Sequence, residues 1–325
     1  MAIDVSNPSN ILIAQSSELW SFNDRTEELI TKLPKSDSYI PAFYQLNESA
    51  IVLSDAKSFC LRLFDRTSKK MSVYSGMCST APIYRTGAKD EARFGYIRDM
   101  MLGKGDLLWD QLLVYDKSFR SIRSVSLSTQ YVRTIYRGGD FDAGFSFCWE
   151  YLTNNILFGG RFDIKRLNLG VKSSVPETVA GVYDQSGVRD GPLHQSLFRA
   201  TKRIIHFADY IYFAMSETTG IRVIDLKEQV VYSICRFSDN YEIAYLQEGD
   251  ASSCRLTFPR ALLIHNKFLY IAVSKIIGRV SGKFFIDKEF CKGFPFVETL
   301  LYLGGDCNNH YLDIISKFKS ALRTF

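Results

Sequence analysis

The chain has 325 residues, 46% of them apolar and 14% aromatic, which is enough to bury a sizeable core in one large domain or two small ones. A formal net charge of +5 is modest at this length and argues neither for nor against nucleic acid or an acidic partner. No apolar run approaches the roughly 18 residues a membrane span needs, and the opening MAIDVSNPSN lacks the basic and apolar segments of a signal peptide, so a cytosolic chain or a mature form without its leader is expected.

Short β-type runs separated by turn residues recur in the same order along the chain. Ile11–Ala14, Leu19–Phe22 and Leu29-Ile30 read as the last three strands of a first unit. Ala50–Asp55, Leu61–Asp65 and Val73–Gly76 make a second. A third opens with the loop-to-strand element Gly87–Phe94 and continues through Leu112–Asp116, Ile122–Val125 and Tyr131–Ile135. The fourth lies between Phe145 and Gly181, with Ile156–Gly160 and Ile164–Leu167.

The fifth, Pro176 to Arg236, is the fullest copy. A Gly/Asp-rich loop, Ser186–Gly191, leads to Leu197-Phe198, which opens a strand reaching Ile205; Ile211–Ala214, Ile221–Asp225 and Val230–Ile234 follow. The sixth begins at Arg255–Pro259 and Leu269–Ala272, with its third strand near Arg279-Val280 or near Phe294. From Tyr311 on, Leu312, Ile315, Phe318 and Leu322 are spaced like a short amphipathic helix.

The repeat Val179-Ala180-Gly181, Gly-rich loop and four short strands resembles the NHL repeat, one blade of a six-bladed propeller, and the third and fifth copies carry the likeness best. The resemblance implies an all-β, six-bladed β-propeller of four-stranded antiparallel blades over residues 1–310, with a C-terminal helix over 311–325. The competing reading is another all-β fold built of hairpins.

On this register six of the seven cysteines fall at hairpin or loop ends. Cys60 precedes the third strand of the second blade and Cys78 follows its fourth, about a turn centred at Lys69. Cys291 and Cys307 repeat that setting, and Cys235 and Cys254 bracket the loop between the fifth and sixth blades. Cys148, beside Trp149 in an apolar run, is left as a buried thiol. Spacing alone leaves the connectivity open, but three such bridges point to an oxidising compartment. Asn47-Glu48-Ser49 is a glycosylation sequon on a surface turn, a signal of the same sign.

Signatures of chemistry are sparse. The four histidines do not converge, since His206 and His265 occupy equivalent turn positions, and no metal, acyl-transfer or phosphate-loop motif occurs. No cofactor is expected. Asp106, Asp110 and Asp116 form a carboxylate cluster, read as structural because Asp116 holds a repeated loop position. Arg62, Arg123, Arg166, Arg222 and Arg279 recur at one strand position. Such a ring suits blade packing better than a partner, although NHL propellers of tripartite-motif proteins bind single-stranded RNA on a basic face. Amidating lyases among related propellers use inward histidines on zinc, a set with no counterpart here.

The expectation is therefore a secreted or cell-surface interaction module that binds another protein and no nucleic acid. The alternatives are a cytosolic RNA-binding propeller and a propeller enzyme of lyase or hydrolase type. Propeller ligands usually meet the loops between blades and between second and third strands. Here these are 77–91, 117–120, 137–144, 182–191, 216–220 and 237–253, whose aromatics Tyr84, Phe119, Phe141, Tyr183, Tyr241 and Tyr245 suit a protein interface.

Overall fold

A computed structural model describes residues 1–22, 27–35, 37–104, 108–139, 146–150, 153–171, 174–215, 220–234, 246–247, 255–256, 259–265, 268–273 and 276–280. In chain order the first sheet holds β1 (Ala2–Ile3), β2 (Ile11–Gln15), β3 (Glu18–Phe22) and β4 (Glu27–Lys32). The second holds β5 (Phe43–Gln45), β6 (Ala50–Asp55), β7 (Cys60–Asp65) and β8 (Lys70–Ser75). In the third are β9 (Ile97–Leu102), β10 (Gln111–Asp116), β11 (Ser121–Ser126) and β12 (Val132–Arg137). β13 (Phe147–Trp149), β14 (Asn155–Gly159), β15 (Asp163–Asn168) and β16 (Glu177–Gly181) form the fourth.

The fifth sheet has five strands: β17 (Gly191–Pro192), β18 (Thr201–Phe207), β19 (Tyr210–Met215), β20 (Ile221–Asp225) and β21 (Val230–Ile234). A two-residue ladder of β22 (Leu246–Gln247) with β23 (Arg255–Leu256) precedes a three-stranded sheet of β24 (Pro259–His265), β25 (Phe268–Val273) and β26 (Ile276–Val280). Each of these sheets pairs its strands in chain order, apart from β17, which joins the outer edge of its sheet on β21. No α-helix occurs among the described residues, and the helix expected over 311–325 lies outside them.

The chain packs as two compact units. The first comprises Met1–Cys148, Leu152–Gly160 and Arg166–Glu177; the second comprises Trp149–Tyr151, Arg161–Lys165 and Thr178–Phe325.

Burial on both faces explains why the second strands of the second, third, fourth and fifth blades read as nearly continuous apolar runs. Along β6, Ile51 and Leu53 join one core with Leu12, Leu19 and Phe64, while Val52 between them joins another with Leu61, Phe94, Leu112 and Val114. Side chains of a strand alternate faces, so a strand buried on both sides has no polar phase. In the second unit all of β19 and β20 is buried, and β24 packs beside β18 and β19.

The turns between third and fourth strands repeat a local device. The carboxylate of Asp65 accepts from the N–H groups of Thr67 and Ser68, that of Asp225 from Lys227 and Glu228, and the hydroxyl of Ser126 from Thr129. Each turn ends on a residue with positive φ, at Lys69, Gln130 and Gln229. A side-chain acceptor at the first position and a left-handed residue at the last make these turns locally encoded.

Three expectations are corrected. The first blade is complete, because Ala2–Ile3 supplies its innermost strand, too short to show a periodic signal. The fifth blade's inner strand begins at Thr201, since Leu197 and Phe198 belong to a loop ladder with Arg189 and Ser186. The β7–β8 hairpin pairs Asp65 with Lys70, which centres its turn between Thr67 and Ser68, not at Lys69. Of the two places weighed for the last sheet's third strand, the one at Arg279-Val280 is occupied, by β26.

Candidate functional site

Two inter-blade segments, 76–96 and 181–200, are built alike, the first having one residue more between its two positive-φ glycines. Each starts on a glycine with positive φ, Gly76 at +81° and Gly181 at +94°. A Cβ on Gly76 would stand 2.5 Å from the Phe94 ring, and one on Gly181 2.6 Å from the Phe162 carbonyl oxygen and 2.8 Å from the Phe198 ring. Glycine is required at both for conformation and for space.

The segment then runs to the outer edge of its own sheet. Gly87 exchanges two backbone hydrogen bonds with Val132 of β12, and Gly191 pairs with Val231 of β21. A tight turn follows, closed by Ala92 N–H to Ala88 and by Ser196 N–H to Pro192. The returning limb lies against the outgoing one through the bridges Arg85–Arg93 and Arg189–Leu197.

Under each doubled segment lies a fully buried arginine of the third strand. Arg123 donates to the carbonyls of Arg93 and Arg85, both at 2.5 Å, and Arg222 donates to those of Leu197 at 3.3 Å and Arg189 at 2.8 Å. Each therefore ties both limbs together. Arg123 lies 4.6 Å over the ring of Phe94, and Arg222 lies 5.3 Å over that of Phe198.

The counter-charges differ. Arg123 meets buried Asp116 at 3.3 Å, whose carboxyl is pushed up by burial despite the Gly95 N–H and Arg123 that oppose it. Arg222 meets Asp190, half exposed, at 2.9 Å, and burial lowers the Arg222 guanidinium to about 10 against that carboxylate. In the second blade Arg62 pairs with buried Asp55 at 2.6 Å. The corresponding cation of the fourth blade is Lys165, which follows buried Ile164 and pairs with Asp163; Arg166 points outward to Glu177. The expected arginine ring is thus shifted by one residue there, and Arg123 and Arg222 are consumed inside the protein.

The Cys60–Cys78 bridge is present, with Cα atoms 4.9 Å apart, and it anchors the first residues of the 76–96 segment to the start of β7. Cys235, Cys254, Cys291 and Cys307 lie outside the described residues. Cys148 is outside any disulfide and only half-buried, not buried. Asn47 is exposed in the β5–β6 turn, its side-chain oxygen accepting from Ser49 and Ala50.

The aromatic residues expected at the interface fall into three groups. Tyr183 is 78% exposed, with the Lys165 ammonium 5.7 Å from its ring. Tyr84 and Phe119 meet edge to face at 5.1 Å and are half-buried, and the Tyr84 hydroxyl hydrogen-bonds Thr134. Phe141, Tyr241 and Tyr245 lie outside the described residues. Sequence reasoning passed over the exposed apolar residues Met77, Ile83 and Val188 on the same segments. It also passed over Trp109, 72% exposed in the β9–β10 loop at the opposite end of the third blade. A lone Trp beside Asp110 in a polar loop was the available signal for it.

Comparison with solved structures settles the architecture. An auxiliary nutrient binding protein from Bacteroides ovatus superposes with a TM-score of 0.67 at 14% identity, covering 86% of this chain and 68% of that one. The fold is that of a β-propeller. The nidogen/laminin complex superposes with a TM-score of 0.56 at 9% identity over 84% of this chain and 89% of that one. The extracellular domain of a putative one component system from B. thetaiotaomicron gives 0.51 at 8% identity, over 83% of this chain and 36% of that one. No protein-family model matches, and no curated protein sequence does. This chain thus shares its fold with a nutrient binding protein, a component of a protein–protein complex and an extracellular domain. No group of metal-ligating side chains occurs among the described residues.

Proposed function

We propose that the chain is a six-bladed, NHL-type propeller, with residues 1–310 forming the ring and 311–325 a terminal helix, that acts outside the cell and binds a protein partner through its inter-blade loops. The observation that carries this reading is the build of the 76–96 and 181–200 segments. Their backbones are fastened by buried arginines, an outer-edge pairing and, in the first, a disulfide, while their outer side chains stay exposed. Loops held rigid beneath, with apolar and aromatic side chains among the exposed groups on top, lose little entropy on binding. The Cys60–Cys78 bridge supports an oxidising compartment, and a neighbour in fold described as a complex with laminin supports a protein ligand. Burial of Arg123 and Arg222 weakens the RNA-binding reading, because those guanidinium groups do not face a ligand.

The test is capture of partners from culture supernatant and solubilised membranes, with wild type beside Tyr183→Ala and Tyr241→Ala. The expected result is a protein captured by wild type, retained in chelator and lost with the substitutions. Submicromolar binding to a random single-stranded RNA pool, or six reactive thiols in the native protein, would overturn the proposal.

A further inference from the structure

Asn47-Glu48-Ser49 is the chain's single Asn-X-Ser/Thr tripeptide whose middle residue is not proline. In the structure it forms a local turn between β5 and β6. The Asn47 side-chain oxygen accepts from the Ser49 N–H at 3.0 Å, the Ser49 hydroxyl at 3.1 Å and the Ala50 N–H at 2.9 Å. All three bonds fall on the amide oxygen, and the amide nitrogen donates to no group among the described residues. Asn47 and Glu48 are exposed, so the turn engages the oxygen and leaves the nitrogen to solvent.

The first blade carries a comparison at the same place. Asn7, exposed in the β1–β2 connection, accepts from the Ser9 N–H at 3.3 Å, but Pro8 stands between them. Proline at the middle position fixes φ and removes an N–H, which bars that tripeptide as an acceptor.

Position gives the site a meaning. β6 pairs Ala50 with Asp65 at one end and Asp55 with Cys60 at the other. Asn47 lies just before the first of these ends. The Cys60–Cys78 bridge, which roots the 76–96 segment, lies at the second, a strand length of roughly 17–20 Å away. On the Asn47 side, Val5 of the first blade is 49% exposed, and its N–H donates to the Gln45 side chain of β5.

Resting on the reading that the chain acts outside the cell, we propose that Asn47 carries an N-linked glycan that covers the blade end opposite the loop face. In the transfer, Nδ2 of Asn47 forms a bond to the anomeric carbon of a lipid-diphosphate oligosaccharide. The bond from that carbon to the diphosphate oxygen breaks, the lipid diphosphate leaves, and the amide gives up one N–H proton. The amide oxygen is untouched, so the folded turn keeps its three hydrogen bonds. A bulky polar group there screens Val5 and leaves residues 76–96 clear for a partner.

The test is mass spectrometry of the protein recovered from cells that make it, before and after peptide-N-glycosidase F in heavy-oxygen water. The expected result is release of one glycan, with Asn47 converted to labelled Asp and Asn7 unchanged. Asn47→Asp and Ser49→Ala should lack the glycan, and Ser49→Thr should keep it. Asn47→Asp retains an oxygen for Ser49 and Ala50, so it should fold and capture the partner as wild type does. Wild type stripped of its glycan after folding serves if that variant is not secreted.

Protein found outside the cell with Cys60–Cys78 formed and Asn47 unmodified overturns the glycan and leaves the extracellular reading standing. Protein confined to the cytosol with both thiols reactive overturns both. Loss of partner capture when the glycan is removed from folded wild type overturns the placement of the glycan away from the partner.

Discussion

The guanidinium of Arg123 lies 4.6 Å above the ring of Phe94, and the same pair recurs in the fifth blade as Arg222 on Phe198. In each, the arginine adds a second hydrogen bond to two carbonyls that already accept across the doubled segment, and so fastens both limbs from beneath. Their counter-charges predict unequal costs of removal. Arg123→Met strands a buried Asp116 and should destabilise by about 3–5 kcal/mol. Arg222→Met leaves the half-exposed Asp190 to water and should cost about 1–3 kcal/mol. Urea unfolding of the two variants measures the difference. Adding Asp116→Asn to Arg123→Met should recover part of the loss, because the amide oxygen still accepts from Gly95 without a charge.

How far the sequence could be read depends on the range of the signal. The four-strand repeat was legible because the second strands of the second, third and fifth blades are buried on both faces, which turns them into apolar runs bounded by turn residues. Ala2–Ile3 was not, since two residues carry no period. The Cys60–Cys78 pair was found on a register three residues away from the real one, because a bulge between Leu61 and Arg62 and the left-handed Gly76 return the chain to Cys60. Arg166 was taken for the buried cation in place of Lys165, because the chain there offers two adjacent cations and only the pleat decides which faces inward. For the candidate site, aromatic residues in loops were visible, but their packing was not. Tyr183 and Tyr84 look alike in sequence, and one is exposed while the other is clamped between Arg137 and Phe119.

The paired glycines offer a separation of space from conformation. Gly181 and Gly191 both have positive φ, at +94° and +134°. Around Gly181 a Cβ meets the Phe162 carbonyl and the Asp163 Cα at 2.8 Å or less, whereas around Gly191 nothing lies within 4 Å. Gly191→Ala should therefore cost only backbone strain, about 1 kcal/mol. Gly181→Ala adds a collision with backbone that cannot turn aside, and about 3 kcal/mol or more is expected. Equal melting temperatures for the two variants would show that the segment relaxes freely at its root.

Asp55 sets part of the acid sensitivity. Burial raises its carboxyl, but hydrogen bonds from Ser38, Arg62 and Ser58 outweigh that and hold it below the usual 3.8. A carboxyl depressed in the folded state contributes stability that is complete above its unfolded value and is lost as pH falls through the folded one. The contribution of Asp55 should thus be whole at neutral pH and disappear below about pH 4. Asp55→Asn should lower stability at pH 7 by about 2–4 kcal/mol and flatten the acid limb of a melting-temperature profile. Asp4, held down in the same way by Arg66 and Ser6, keeps some of that limb in the variant.

The disulfide yields the last prediction. Cys60 and Cys78 close a loop with a sequence separation of 18, for which chain-entropy reasoning gives about 3 kcal/mol. The third blade indicates what remains without it. Ser121 occupies the place of Cys60, equally buried, and β11 there pairs with β12 through the same bulge as β7 with β8. Cys60→Ser/Cys78→Ser should accordingly fold, keep its far-ultraviolet spectrum and lose about 2–4 kcal/mol. Hydrogen exchange should localise the change. Amides of 76–83 should lose protection, while those of 85–93 stay protected because Arg123 still holds their carbonyls. Uniform loss of protection across 76–96 would show that the bridge, and not the arginine, fastens the segment.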